Sequence, residues 1–284
     1  MGNSKITSPA SEARATAPDA PLVPAVVRAV RVLTVLVERI DGATLSEIAR
    51  DAELSPSTTS NLLHTMAAEA LVRFDPATRR YNLGSQLLLF GSVAASRTAP
   101  LAEAIPHMRR IAADTGLACL AILRTRDGEF LAVEKVESRR DIKVTIEVGE
   151  RFPTDAPALN RLWSAWTPRG ERGPAGANVQ PTTAYTQNTL TNPTDTMREE
   201  KATRAQGYAS VHGEYVANLN VVGVPVFGRD QLPVLGIMVL GMGDDLSADK
   251  VALIAELLIA AARQVTVDSG GVVPDDYPPA PRPG

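Results

Sequence analysis

Cysteine is almost absent from this chain: Cys119 is the only one in 284 residues. A lone cysteine excludes an intramolecular disulfide and suits a reducing compartment. Its setting, LACLAIL, is that of a buried core thiol and not of a nucleophile. Histidine is scarce too. His64, His107 and His212 are too scattered for a metal-ligand spacing, and neither HxxxH nor CxxC occurs. Long hydrophobic runs are also missing. The most apolar stretch, VALIAELLIAAA over 251–262, is too short to span a bilayer and contains Glu256, and no N-terminal segment resembles a signal peptide. No Gly-rich phosphate loop or nucleophile elbow appears. The expectation is a soluble cytoplasmic protein, not an enzyme, with no catalytic residues, metal or cofactor.

An excess of one charge is lacking as well. A net charge of −3 argues against a protein that coats nucleic acid non-specifically, though it permits a specific binder with a local basic surface. Residues 22–97 contain eight Arg, no Lys and seven acidic residues, a net of +1. Any case for DNA must therefore rest on a motif.

The motif lies in residues 44–84, TLSEIARDAELSPSTTSNLLHTMAAEALVRFDPATRRYNLG. Ahead of it, Val26, Val30, Leu33, Val37 and Ile40 have the spacing of one helical face, predicting a helix over 24–40. Thr44 is a plausible cap for a second helix over 45–52. After the turn ELS, Ser55-Pro56 opens a third, with the cap and first-turn proline in their favoured places. Thr59, Leu63, Met66 and Ala70 mark its inner face, and Ser57, Ser60, Asn61 and His64 its outer face. Small polar residues can approach base edges, where Ser and Asn both donate and accept. Strands over 71–74 and 80–83, joined by DPAT, carry Arg73, Arg79 and Arg80, which suit phosphate contacts. The order helix, turn, helix, hairpin is that of a winged helix-turn-helix. The DNA-binding candidates are Ser57, Thr58, Ser60, Asn61, His64, Arg73, Arg79 and Arg80.

At this length two domains are expected. The predicted plan is a disordered tail over 1–21, the winged helix-turn-helix over 22–82, a linker helix over 83–99, a second domain over 100–268, and a disordered Pro-rich tail over 269–284. The second domain reads as a helix over 101–115, then strands over 117–124, 129–137 and 142–148. A helix over 157–166 and another over 194–206 come next. Strands near 208–212, 219–227 and 234–241 and a closing helix over 247–267 complete it. Strands between flanking helices predict an α+β domain on an antiparallel sheet. Asp155 reads as an N-cap ahead of Ala156-Pro157. Trp163 and Trp166 read as core.

These strings together resemble the IclR-type bacterial transcriptional regulators over about residues 23–267. The carriers are LSEIARDAELSPSTTSNLLHTM, RRYNLGSQLLLFG, VGERFP, YTQNTLTNP, RAQGYA, NVVGVPVF and LSADK, in that order. The resemblance implies a homodimer or tetramer, with a linker helix joining the DNA-binding domain to a GAF-like effector-binding domain. It also implies a double-stranded DNA operator and a small-molecule effector as partners. Family members usually carry Arg where this chain has Asn61. The family's small-Gly-Lys helix start reads Ala158-Leu159-Asn160-Arg161 here. Four positions that are polar in members sensing small carboxylic acids align with Val211, Val221, Met238 and Leu240. Together with Asp155, Ala158 and Leu159 these form the implied effector site, and their character predicts an apolar or aromatic effector. A second reading stays open: a small-molecule sensor or enzyme built on the second domain, with the first serving protein contacts only.

Overall fold

Capping signals set the first elements. The computed structural model describes residues 22–97, 99–137, 146–168 and 183–279. They divide into two units, residues 1–93 and 94–284. The expected tail over 1–21 lies outside the described residues, as do 142–145 of the strand expected over 142–148. Residues 146–148 are not strand.

In the first unit, α1 (Pro24–Val37) begins with proline in its first turn. The buried face is not the one whose spacing marks the helix. Val32, Val35 and Leu36 are buried, while Val26, Val30 and Val37 are exposed and Ile40 lies beyond the helix end. The run VVRAVRVLTVLV is apolar on both sides, so periodicity alone does not choose between them. Helix α2 (Leu45–Asp51) carries a reciprocal capping box: the Thr44 N–H donates to Glu47 Oε2 at 2.8 Å, and the Glu47 N–H returns to Thr44 Oγ1. Glu53 then adopts φ 56°, and the Leu54 N–H closes the turn on the Ala49 carbonyl at 2.8 Å. Ser55 caps α3 (Pro56–Ala68), accepting from the Thr58 N–H at 3.2 Å. Thr59, Leu63 and Met66 are buried against α1 and α2. Strands β1 (Val72–Asp75) and β2 (Arg80–Leu83) pair antiparallel, and an Ala43–Tyr81 bridge ties the hairpin to the start of α2. Helix α4 spans Ser85–Arg97.

The first whole helix of the second unit is α5 (Ala99–Thr115), which has Pro100 in its first turn. Its sheet contains β3 (Ala118–Arg124), β4 (Phe130–Val136), β5 (Arg151–Phe152), β6 (Ala209–His212), β7 (Leu219–Phe227) and β8 (Pro233–Met242). The strand order is β5-β4-β3-β8-β7-β6, with antiparallel pairing throughout. Residue alternation gives the sheet two apolar faces. One packs on α5 and α8 (Ala248–Asp268), the other on α6 (Pro157–Trp166) with α7 (Pro193–Gln206) beyond it. Gly236 allows the close approach of α6, since a Cβ there would meet the Trp163 ring at 3.0 Å. Both tryptophans are core residues, Trp163 against Phe130 and Trp166 against Phe227. Cys119 is buried, and burial pushes its thiol pKa up.

The expected disordered tail over 269–284 is corrected over its described part, residues 280–284 lying outside the described residues. Residues 271–279 fold back as a strap. The Val272 N–H donates to the Gly228 carbonyl at 3.0 Å, and Arg204 binds Asp276 at 2.6 Å. Tyr277 is buried between Trp166 and Phe227. Proline content predicts disorder, but Tyr277, Arg204 and Arg263, whose Nη1 donates to the Pro278 carbonyl at 3.0 Å, anchor the segment.

Candidate nucleic-acid interface and apolar cavity

On α3 the outward residues Ser57, Ser60, Asn61 and His64 are all exposed and form one polar stripe. Thr58 is half-buried, and its hydroxyl lies 2.8 Å from Ser55 Oγ, so it belongs to the helix cap and not to the stripe. The wing tip is ordered by Asp75, whose Oδ1 accepts from the Ala77 N–H at 2.9 Å. The Thr78 hydroxyl and this amide hold the Asp75 carboxyl below its ordinary pKa. Arg73 and Arg79 are exposed on the hairpin.

Arg80, expected at the phosphates, turns inward. Its Nη1 donates to the Gly42 carbonyl at 2.9 Å and to Glu47 Oε2 at 3.2 Å. The partners lie more than thirty residues upstream, and sequence spacing gave no sign of them. Arg39 and Arg50 both bind Asp51, which further reduces the free positive charge of this unit.

In the second unit a cavity lies between the sheet and α6. Its walls are Leu120 and Ile122 of β3, Val211 of β6, Leu219 and Val221 of β7, Met238 and Leu240 of β8, and the first turn of α6. Ile146, Phe152 and Tyr215 complete it. Ala158, Leu159, Val211, Val221, Met238 and Leu240, grouped by the family resemblance, thus line one space. The space reachable by the centre of a water molecule is about 60 Å³. One water needs ~10–15 Å³ on that scale, so the cavity holds a few waters, less than a phenyl ring requires. Met238 is the adjustable wall. Its thioether lies over Gly223, where a Cβ would sit 2.1 Å from the sulfur.

Polar groups reach the cavity at one end. No side chain caps α6, and among the described residues the N–H groups of Ala158 and Leu159 have no hydrogen-bond partner. Asp155 is not the N-cap, which is Ala156, and it does not line the cavity. It is buried behind that wall, and its Oδ1 accepts from the Tyr185 hydroxyl at 2.5 Å. Arg161, one turn along α6, forms a buried bidentate pair with Glu214, with one N–O distance of 2.9 Å. Tyr215, Tyr185 and Phe152 went unassigned in the sequence reading. The apolar run over 117–124 predicts the strand that carries Leu120 and Ile122, but loop residues such as Tyr185 and Tyr215 carry no periodic signal. Among the described residues no His/Cys/Asp/Glu cluster could hold a metal ion. No helix among them is long and apolar enough to cross a membrane.

Residues 25–76 match the family described as "IclR helix-turn-helix domain", and residues 93–267 match "Bacterial transcriptional regulator IclR C-terminal". The second match alone covers more than half of the chain. The chain belongs to the IclR family of bacterial transcriptional regulators. It is similar to the transcriptional repressor IclR of Escherichia coli, at 25% identity over 84% of this chain and 86% of that one. Among solved structures it superposes on an IclR regulator from Alicyclobacillus acidocaldarius with TM-score 0.80 and 29% identity, covering 88% of this chain and all of that one. The IclR fold is shared too by a homologue from Microbacterium hydrocarbonoxydans solved with 4-hydroxybenzoate. There the TM-score is 0.75 at 20% identity, over 86% of this chain and 98% of that one. IclR relatives are regulators of transcription and not enzymes, and the helix-turn-helix is this chain's DNA-binding domain.

Proposed function

We propose that this regulator binds a pseudo-palindromic operator as a homodimer or dimer of dimers, and that a small apolar or aromatic effector in the second unit modulates the binding. In this reading Ser57, Ser60, Asn61 and His64 face base edges while Arg73 and Arg79 contact phosphates. Val26, Val30 and Val37 on α1 and Leu88, Leu89 and Phe90 on α4 are exposed, which favours self-association of the DNA-binding unit. One winged helix covers a few base pairs, so specificity needs two half-sites about one helical turn, or a multiple of it, apart.

The observation that carries the effector assignment is the cavity wall. Val211, Val221, Met238 and Leu240 offer no donor, and a small acid leaving water needs several. The amides of Ala158 and Leu159 suffice to orient one polar group on a hydrophobic ligand. That the same fold admits 4-hydroxybenzoate in a relative supports a one-ring ligand. Such a ligand requires Met238 to swing away from its place over Gly223.

Thermal-shift screening tests the assignment. Aromatic and branched apolar compounds are expected to stabilise the protein, and Met238→Ala to improve binding of the bulkier ones. Stabilisation by short hydroxy or keto acids alone would contradict the reading.

A further inference from the structure

The end of the cavity nearest Asp155 has a charge that the apolar walls do not explain. Asp155 is 7% exposed and stands one residue before the cavity wall at Ala156. Its hydrogen bond comes from a neutral group, the Tyr185 hydroxyl, and among the described residues no basic side chain forms an ion pair with it. The buried cation of α6, Arg161, is committed to Glu214. A buried carboxylate without a counter-charge is strongly unfavourable. Its partner Tyr185 is the first of three aromatic rings in a row. Tyr185 packs on Tyr215 at 4.7 Å between centroids, and Tyr215 meets Phe152 edge-on at 6.1 Å. Tyr215 and Phe152 both line the cavity. The negative faces of such rings attract cations, more so where water is excluded.

The electrostatics agree with this geometry. Burial first, and then the charges of Glu150 and Asp155, push the Tyr215 phenol above its ordinary pKa. The Tyr185 phenol is raised by burial and then by its bond to Asp155. Part of each shift thus comes from a nearby carboxylate, that of Asp155 in both.

Taking the cavity as the effector site, we propose that its ligand is an apolar or aromatic compound bearing a positively charged nitrogen. Asp155 lies behind the cavity wall, so the Tyr185 hydroxyl must leave it for the ammonium group to reach the carboxylate past the Tyr215 ring, with the hydrocarbon part in the cavity. This turns a neutral hydrogen bond into a charge pair and supplies the missing counter-charge. The same carboxylate disfavours the matching acid.

Three probes of one shape test the proposal on the full-length protein: 2-phenylethylamine, 2-phenylethanol and phenylacetate, with binding measured by calorimetry. The amine is expected to bind about tenfold or more tightly than the alcohol, and the acid most weakly, because an opposite charge at close range is worth about one to three powers of ten. In Asp155→Asn the preference of amine over alcohol should vanish while alcohol affinity is kept. Tyr185→Phe, which keeps the ring, should retain it. Equal binding of amine and alcohol, or a preference that survives Asp155→Asn, would overturn the cation site and leave the apolar effector reading standing. Binding of none of the three, by wild type or Met238→Ala, would overturn both.

Discussion

Arg80 of the wing and Glu47 of α2 meet at 3.2 Å, and Glu47 is at the same time the reciprocal half of the Thr44 capping box. One carboxylate thus holds the start of the helix-turn-helix to the wing that follows it. The arginines of the hairpin therefore divide by role. Arg80→Ala is expected to lower the stability of the DNA-binding unit. Arg79→Ala should leave stability unchanged, weaken binding to all sequences alike and flatten the salt dependence by roughly one unit. Thermal unfolding alongside DNA titration of both variants separates these effects, and equal loss of stability in the two would contradict the division.

Asn61→Ala is expected to cost on the order of 1–3 kcal/mol at the cognate site and to relax sequence preference, because an amide can bond an adenine edge through two contacts. Competition against random DNA is the measurement. A loss that is the same on cognate and random DNA would place Asn61 at the backbone.

Acid should loosen the first unit. Bonds to the Thr44 backbone and hydroxyl, and then the charges of Arg80 and Arg39, lower the Glu47 pKa. Hydrogen bonds from Arg50 and then Arg39 lower that of Asp51. Both groups have folded pKa values below their unfolded ones. Their contribution is full above the ordinary carboxylate pKa and is lost as pH falls through the depressed folded values. Helicity must report this transition, since Trp163 and Trp166, the only tryptophans, are both in the second unit. Asp51→Asn should flatten the acid limb, and an unchanged limb would count against the Arg39–Asp51–Arg50 cluster.

Breaking the Arg161–Glu214 pair from one side leaves a buried charge alone. Arg161→Met should cost about 3–5 kcal/mol, and the double variant Arg161→Met, Glu214→Leu should recover most of it. Denaturant unfolding followed by tryptophan fluorescence checks both. Additive losses in the double variant would show that the two residues act independently.

Tyr277 carries a hydroxyl that is buried with no partner among the described residues. Tyr277→Phe is therefore expected to stabilise the second unit by about 1 kcal/mol. Tyr277→Ala should destabilise it by about 3 kcal/mol, since it empties an aromatic site. Wild-type stability in both would mean that the strap adds nothing.

What the sequence made legible was local. Caps at Thr44 and Ser55 and the polar stripe from Ser57 to His64 depend on neighbours within a few turns, while the cavity positions Val221 and Leu240 come from the family resemblance. What it concealed depends on distant partners. Arg80 finds Gly42 and Glu47 only after the hairpin folds back, and Asp155 meets Tyr185 thirty residues on. Tyr277 sits in a Pro-rich segment whose composition hides a single anchoring side chain. In α1 the difficulty was different: apolar residues on both faces left the choice of buried face to the tertiary fold.

The most direct test of the account is the affinity of the full-length protein for DNA from upstream of its own gene, measured against random DNA across a salt series. The account predicts preferential binding to the upstream fragment, with log affinity falling linearly with log salt as phosphate contacts release counterions. It also predicts that Asn61→Ala removes the preference while Arg79→Ala lowers both affinities. Equal affinity for both fragments, unaffected by Asn61→Ala, would contradict it.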